Sequence, residues 1–391
     1  TVFEPSMIRH HLERAYAEAT MGRPGPVFIE IPLDVQNADI DVENYAPIDQ
    51  RMFVKEHTYV ANDDQIARCV EMLNTASRPV LIIGNGVHLS GAEEDLNRLV
   101  DALQIPVISS WNASDIVSND HPCYIGRIGL FGDRASNFAV QNADLILAIG
   151  TRLSLPQIGH DARKFAPNAI KIVVDIDFAE ATKDWLKTDL PICADAKEFI
   201  KALLAAGPIR ARGWVSPIPW GAHSWLDQCQ GWKSRYPTML PEYRTETNGV
   251  NAYAFVEELA KHLDDDAIIV TDVGFAFIAT MQSLKLKKGQ RLFHSGGVSA
   301  MGWGLPAAVG ACFASPGRQV ACLTGDGGLM LNLQELQTVA HHKLPIAIFV
   351  FENGGYKTMQ ITQGNHFKRD AASSQASGFS CPRFDRVATA F

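Results

Sequence analysis

The sequence predicts an α/β fold with doubly wound parallel sheets. Short apolar runs, typical of strands buried on both faces, alternate with segments of helical period along most of the 391 residues. Two of these runs, at 320–324 and 346–351, end in glycine-rich polar turns. Open α/β sheets bind their ligands at the carboxyl ends of such strands, so these turns also mark a candidate site.

The N-terminal segment predicts one helix at 7–20 and, after the turn Gly22-Arg23-Pro24-Gly25-Pro26, one buried strand at 27–32. A single helix and a single strand have nothing to pack on by themselves. We therefore expect residues 1–42 to be the end of a domain whose beginning lies upstream. A polar linker is expected to follow at 43–63.

The region 64–206 predicts a central α/β domain, because strands and helices alternate along it. Its expected elements are helix 64–75, strand 79–84, helix 92–103, strand 106–110, a helix near 134–141, strand 144–150, strand 170–175 and helix 196–205. The tryptophan-rich residues 207–245 predict a linker that lies on the domains. A second α/β domain is expected at 246–391, still incomplete at Phe391.

Composition limits the class of function. With 47% hydrophobic and 20% charged residues the chain can bury several cores, and its net charge of -8 gives no basic surface for nucleic acid or anionic membranes. No apolar run reaches the roughly 20 residues of a membrane helix. Seven scattered cysteines predict reduced core residues and a cytoplasmic protein.

The two glycine-rich turns carry residues suited to a metal and phosphate site. Asp326 follows one strand and Asn353 follows the next, so a carboxylate and an amide oxygen should meet at one sheet edge. Mg²⁺ prefers such hard oxygen ligands and keeps positions for phosphate and water. Glycines let backbone N–H groups approach a diphosphate closely at a helix start, here a helix expected at 331–339. A lone Gly-Asp-Gly triplet is also typical of any tight strand-to-helix turn, so the pairing of the two turns is the informative feature.

Several motifs, in order along the chain, are similar to those of one enzyme family. They are Gly22-Arg23-Pro24-Gly25-Pro26-Val27 with Pro32-Leu33-Asp34-Val35-Gln36, Thr271-Asp272-Val273-Gly274, Ser295-Gly296-Gly297 with Met301-Gly302-Trp303-Gly304-Leu305-Pro306-Ala307-Ala308, Gly325-Asp326-Gly327-Gly328, and Glu352-Asn353. Together they resemble the acetolactate synthase family of thiamine-diphosphate enzymes along nearly the full chain. The resemblance implies that residues 1–42 end a pyrimidine-binding domain, 64–206 form a middle domain and 246–391 bind the diphosphate.

The resemblance also implies roles for individual residues. The metal ligands would be the side chains of Asp326 and Asn353 and the backbone carbonyl of Gly355. Met301 would wedge the cofactor into a bent shape, and the backbone of Ser299 and Met301 would meet its aminopyrimidine. The expected cofactor-binding residues, among them the backbone groups that would hold the diphosphate, are Val273, Gly274, Phe275, Ser299, Met301, Gly325, Asp326, Gly327, Gly328, Asn353, Gly355 and Tyr356.

The activity implied by the resemblance is a thiamine-diphosphate- and Mg²⁺-dependent carboligation or decarboxylation of a small 2-oxo acid. The alternatives are a related lyase or acetyl-transferring enzyme, and a non-catalytic homologue that binds nucleotide or a partner through its middle domain. Family active sites form between subunits, so we expect a homodimer or homotetramer. The family's activating glutamate is expected before Thr1, which would leave residues 1–391 without turnover on their own.

Departures from the family pattern concern the selection of the substrate and the binding of flavin. Phe275-Ala276 replaces the Gln-His of the family, and Thr362 stands where acetolactate synthases have the tryptophan that selects 2-oxobutyrate. Leu130-Phe131 stands where flavin-binding members have Met-His, and Ser154 and Pro156 stand where they have Asp and Arg. These positions argue against FAD. The glycine turn at Gly84 is compatible with a flavin site or with ordinary α/β architecture.

Overall fold

The fold consists of two parallel sheets, each flanked by helices, which confirms the predicted α/β class. The computed structural model describes residues 1–41, 48, 59–207 and 224–391. The strands, numbered in chain order, are β1 Pro79–Ile83, β2 Val107–Ser109, β3 Tyr124–Arg127, β4 Leu145–Ile149, β5 Ile170–Asp175, β6 Leu190–Cys193, β7 Ile268–Thr271, β8 Arg291–His294, β9 Val320–Gly325 and β10 Ile346–Phe351.

The helices of the described residues lie mainly between these strands. They are α1 Ile8–Thr20, α2 Leu33–Gln36, α3 Asp63–Thr75, α4 Gly86–Leu89, α5 Glu93–Leu103, α6 Arg134–Asn142, α7 Leu155–Ile158, α8 Phe178–Ala181, α9 Ala196–Ala205, α10 Trp225–Arg235, α11 Ala252–His262, α12 Phe275–Ser283, α13 Gly304–Ala314, α14 Asp326–Leu329, α15 Glu335–His342, α16 Lys357–Thr362 and α17 Phe384–Ala390. Single 3₁₀ turns occur at Pro5–Met7, Trp111–Ala113, Ala162–Lys164, Pro241–Arg244, Met330–Asn332 and Gln375–Ser377, and a π turn occurs at Gln363–Phe367.

The first sheet has six strands in the order β3-β2-β1-β4-β5-β6, all parallel. Its central strands are apolar throughout because both faces are covered: Leu81 and Ile83 pack into one core, and Val80 and Ile82 into the core on the opposite face. The strand order reverses between β1 and β4. A ligand crevice is therefore expected at their carboxyl ends.

The second sheet has four parallel strands in the order β10-β9-β7-β8. After β7 the chain adds β8 on one side and then crosses to the other side of β7 to form β9. The order thus reverses between β7 and β9, so the residues that follow these two strands lie at the topological switch point.

Some predicted elements need correction. The strand predicted at 27–32 is wrong: these residues form no strand, and Phe28 is 89% exposed. An apolar run forms a strand only where a neighbouring strand pairs with its backbone. Here Val2 supplies one backbone hydrogen bond, from its N–H to the carbonyl of Glu30 (2.9 Å). The tryptophan-rich segment contains a helix, α10, that the sequence analysis missed. Most of the expected linker at 43–63, and 208–223 within the second one, lie outside the described residues.

Two further expectations concern membranes and cysteines. Among the described residues no helix is both long enough and apolar enough to cross a membrane. All seven cysteines lie in the described part of the chain and none forms a disulfide, and five of them are buried. The prediction that the cysteines are core residues is confirmed for these five, while Cys193 and Cys381 are only partly buried.

A buried ionic contact joins the two sheets. The carboxylate of Asp115, from the first domain, accepts hydrogen bonds from Arg291 Nε (2.9 Å) and from the backbone N–H of Leu292 (3.1 Å) in β8. The ring of His88 is bracketed by Asp115 (2.8 Å) and Glu93 (2.8 Å). Burial alone would lower the pKa of His88, but its contacts with the two carboxylates outweigh it and the pKa is raised.

This contact predicts a pH-dependent stability. Because the folded-state pKa of His88 is raised, its stabilising contribution is complete below about pH 6.5, the usual histidine value, and is lost as pH rises through the folded pKa. We expect His88→Gln to lower the free energy of unfolding by about 1–3 kcal/mol at pH 6 and by less at pH 9. Urea unfolding at the two pH values measures this. The exposed His160→Gln is the control, and an equal loss at both pH values would contradict the prediction.

Candidate cofactor-binding site

The predicted metal ligands lie together at the ends of β9 and β10. Asp326 is 1% exposed. Its Oδ2 accepts hydrogen bonds from the backbone N–H of Gly355 (2.9 Å) and of Asn353 (3.2 Å), and its Oδ1 accepts from the N–H of Gly327 (2.7 Å). The Asp326 side chain, which begins the turn after β9, therefore holds the turn after β10 in place.

The amide oxygen of Asn353 is the informative atom of this site. Oδ1 is buried and has no hydrogen-bond partner. An unsatisfied buried polar atom costs about 1–3 kcal/mol, so it is rare unless something binds it. The Asp326 carboxylate holds the backbone of both Asn353 and Gly355, and a carboxylate, an amide oxygen and a backbone carbonyl are ligand types that suit a hard cation such as Mg²⁺. No group of three histidine, cysteine or acidic side chains in the described residues offers an alternative metal site.

The glycines of the two turns are required by close contacts. A Cβ on Gly327 would lie 2.5 Å from the ring of Tyr356, whose other side packs on Phe379 with ring centroids 4.3 Å apart. Gly355 has φ +111°, and a Cβ there would lie 2.5 Å from the carbonyl oxygen of Ser373. Residues without a Cβ are therefore needed at both positions for the two turns to pack this closely.

A second buried carboxylate, Asp272, directly follows β7 and contacts other predicted segments of the site. It accepts hydrogen bonds from the N–H groups of Val273 (2.7 Å) and Gly302 (3.1 Å) and from the hydroxyl of Thr324 (3.1 Å). Burial raises the pKa of Asp272 in spite of these donors. The sequence analysis placed Asp272 in a motif but gave it no role. The signal was present, since an aspartate directly follows a buried strand.

The remaining predicted residues surround these two carboxylates. Gly274, with φ +76°, caps α12, whose first residue is Phe275. Ser299 has a left-handed backbone (φ +58°) and Met301 is 46% exposed, so this loop presents its backbone and the methionine to solvent. Gly325 ends β9. The structure brings the predicted residues to one sheet edge, while their individual roles stay predictions.

A cleft of about 550 Å³ opens at the switch point of the first sheet and reaches Gly296 and Gly297 of the second domain. Its glycine turn has an architectural explanation: a Cβ on Gly84 would lie 2.2 Å from the carbonyl oxygen of Gly150. The N–H of Gly86 donates to the same carbonyl (2.9 Å), so it is not free for a phosphate. This contact favours the architectural interpretation of the turn.

The positions at which flavin-binding relatives carry polar groups make internal contacts. Phe131 packs against Trp111 and Phe277, with ring centroids 5.5 and 5.8 Å away. Leu130 is 72% exposed, and its N–H donates to the carbonyl of Pro156 (2.9 Å). The ring of Phe131 and the N–H of Leu130 are thus engaged in contacts within the protein.

The sequence matches two family profiles, one for each sheet. "Thiamine pyrophosphate enzyme, central domain" covers residues 66–203, and "Thiamine pyrophosphate enzyme, C-terminal TPP binding domain" covers residues 272–391. The chain belongs to the thiamine pyrophosphate enzymes. The second profile spans the turns of Asp326, Asn353 and Asp272. The buried carboxylate, the unpartnered amide oxygen and the glycine contacts are of kinds that fit Mg²⁺ and the diphosphate of thiamine pyrophosphate.

The chain is similar to several acetolactate synthase large subunits, which confirms the resemblance found in the motifs. A probable acetolactate synthase large subunit of Methanocaldococcus jannaschii is 35% identical over 358 residues, covering 90% of this chain and 58% of the relative. Isozyme 1 of Escherichia coli K12 is 33% identical, covering 87% and 57%. The large subunit of Porphyra purpurea is 31% identical, covering 100% and 64%. The chain thus spans less than two thirds of the length of these relatives.

Proposed function

We propose that this protein takes part in a thiamine-diphosphate- and Mg²⁺-dependent carboligation or decarboxylation of 2-oxo acids, as its acetolactate synthase relatives suggest. Bound thiamine diphosphate supplies the carbanion chemistry that makes or breaks a carbon–carbon bond beside a carbonyl. The protein's own part is to hold the cofactor by its diphosphate. In this proposal Asp326, Asn353 and Gly355 bind the metal, and the backbone of Val273, Gly274, Gly327 and Gly328 faces the phosphates. The N–H groups of Val273 and Gly327 already donate to Asp272 and Asp326, so their part is to shape the site.

The unpartnered Oδ1 of Asn353 supports this proposal more than any other observation. A turn whose only task was to connect β10 to α16 would gain stability from an apolar side chain at this position. A buried amide oxygen in a turn whose backbone N–H binds the Asp326 carboxylate instead suits a site that a cation completes. The same observation argues against a non-catalytic homologue, because a site without metal has no physical need for both oxygens.

Substrate and reaction are tested together. We expect the complete natural protein, given pyruvate, thiamine diphosphate and Mg²⁺, to release carbon dioxide and to form acetolactate. Carbon dioxide release without acetolactate would favour the related lyase or acetyl-transferring alternative. No cofactor binding by calorimetry, with or without Mg²⁺, would refute the proposal. We keep the cytoplasmic location and the homodimer or homotetramer as proposals, and size-exclusion chromatography with light scattering tests the latter.

We also propose that the protein carries no stoichiometric flavin. The support is the aromatic packing of Phe131, the exposure of Leu130 and the engaged N–H of Gly86. The expected result is a colourless purified protein, and an absorption spectrum measures it. One equivalent of flavin per chain would show that the cleft binds the cofactor through other groups.

A further inference from the structure

Asp272 is the one buried carboxylate in the described residues that touches three of the predicted cofactor segments. It is 1% exposed and directly follows β7. Its Oδ1 accepts hydrogen bonds from the N–H of Val273 (2.7 Å) and of Gly302 (3.2 Å). Its Oδ2 accepts from the same N–H of Gly302 (3.1 Å) and from the hydroxyl of Thr324 (3.1 Å).

These donors come from three separate parts of the chain. Val273 belongs to the turn after β7, Gly302 lies before α13, and Thr324 lies near the end of β9. The described residues include no lysine, arginine or histidine within ion-pair distance of Asp272. Neutral donors alone therefore satisfy the buried charge. Only a carboxylate, which has acceptor sites on two oxygens, can accept hydrogen bonds from all three donors at once.

Close packing fixes the same three segments around the carboxylate. A Cβ on Gly328 would lie 2.8 Å from Oδ2 of Asp272, and a Cβ on Gly304 would lie 3.1 Å from its Cβ. Asn332 adds a further tie, because its Nδ2 donates to the carbonyl of Gly302 (2.7 Å). Gly304 and Gly328 thus pack directly against the side chain of Asp272.

We propose that Asp272 is a positioning residue of the cofactor site: its carboxylate sets the relative position of the Val273–Gly274, Met301–Gly302 and Gly325–Gly328 segments, and it acts on the diphosphate only through them. This inference rests on the proposed function. It predicts that a change at Asp272 weakens the binding of a diphosphate even when the fold persists, because the backbone donors lose their common reference point.

The test uses Asp272→Asn, which keeps shape but replaces one acceptor oxygen by a donor. Calorimetry measures the affinity of the protein for inorganic pyrophosphate with Mg²⁺ and for thiamine diphosphate with Mg²⁺. We expect both affinities to fall at least tenfold in a protein that still unfolds cooperatively, with a melting temperature lowered by the loss of one buried acceptor. Thr324→Val, which removes one donor, should lower them less, and the two changes together should be less than additive.

The matched control is Asp175→Asn, a buried carboxylate at the end of β5 in the other sheet. It should leave both affinities unchanged. Wild-type affinities retained in Asp272→Asn, or a lower melting temperature with unchanged affinity in both Asp272→Asn and Thr324→Val, would overturn the inference. If the wild-type protein itself binds neither ligand, the proposed function fails first.

Discussion

Asp326→Ala should abolish the Mg²⁺-dependent binding of thiamine diphosphate. The substitution removes a buried carboxylate that accepts hydrogen bonds from the backbone N–H groups of Asn353 and Gly355. It also leaves the N–H groups of Asn353 and Gly355 without their acceptor, so we expect a loss of about 1–3 kcal/mol in the stability of the metal-free protein. Calorimetry with Mg²⁺, and a parallel titration in the presence of a chelator, measure the first effect, and urea unfolding measures the second.

Asn353→Ala separates metal binding from stability. Because Oδ1 of Asn353 has no partner, its removal should not destabilise the metal-free protein, whereas the stabilisation by Mg²⁺ and thiamine diphosphate should disappear. Asp265→Ala, at a carboxylate that is 86% exposed, serves as the control and should change neither quantity. Cofactor affinity that survives in both Asp326→Ala and Asn353→Ala would show that the metal lies elsewhere.

Gly302→Ala should lower both stability and cofactor affinity sharply. Gly302 has φ +80°, and a Cβ there would lie 2.8 Å from the Cβ of Leu331 and 3.2 Å from the carbonyl oxygen of Gly328. The left-handed backbone alone costs a non-glycine residue about 1–3 kcal/mol. The clash adds to this and pushes apart two segments that both contact Asp272. Thermal unfolding and thiamine diphosphate calorimetry measure the two effects.

The control for this change is Gly310, in the helix that follows Gly302. Gly310 is exposed in α13, and a Cβ there would meet nothing within 4 Å. Gly310→Ala should therefore stabilise the protein by about 0.5–1 kcal/mol, since alanine is the better helix former. The same chemical change is thus expected to have opposite signs at two positions. Equal effects at both positions would mean that the contacts of Gly302 do not constrain it.

The sequence was most informative about strands buried on both faces, such as β1 and β4, and it also predicted β10, whose apolar run is only partly buried. The runs that became β1, β4, β5, β9 and β10 are apolar along nearly their whole length, so their pattern had one interpretation. β3 contains Gly126 and Arg127, and β8 begins with Arg291, so neither looks like a core strand. Both are short edge strands of their sheets, where polar residues are tolerated.

The proximity of site residues could be predicted where the order of the strands in the sheet determined it. Asp326 and Asn353 follow neighbouring parallel strands, so their proximity followed from the topology alone. The role of Asp272 did not, because an aspartate that binds backbone N–H groups and one that binds a ligand look alike in sequence. Only the distances to Val273, Gly302 and Thr324 distinguish the two.

The exposed loop before α13 has a practical consequence for handling the protein. Val298 is 87% exposed, and the left-handed backbone at Ser299 turns the chain outward, which makes this loop a preferred point for a broad-specificity protease to cut. A cut there would sever the covalent link between β8 and α13, and Gly302 would stay joined to α13 and in contact with Asp272 and Asn332. The rate of this cleavage therefore reports whether anything covers the loop, and it can be read from a gel without any labelled ligand.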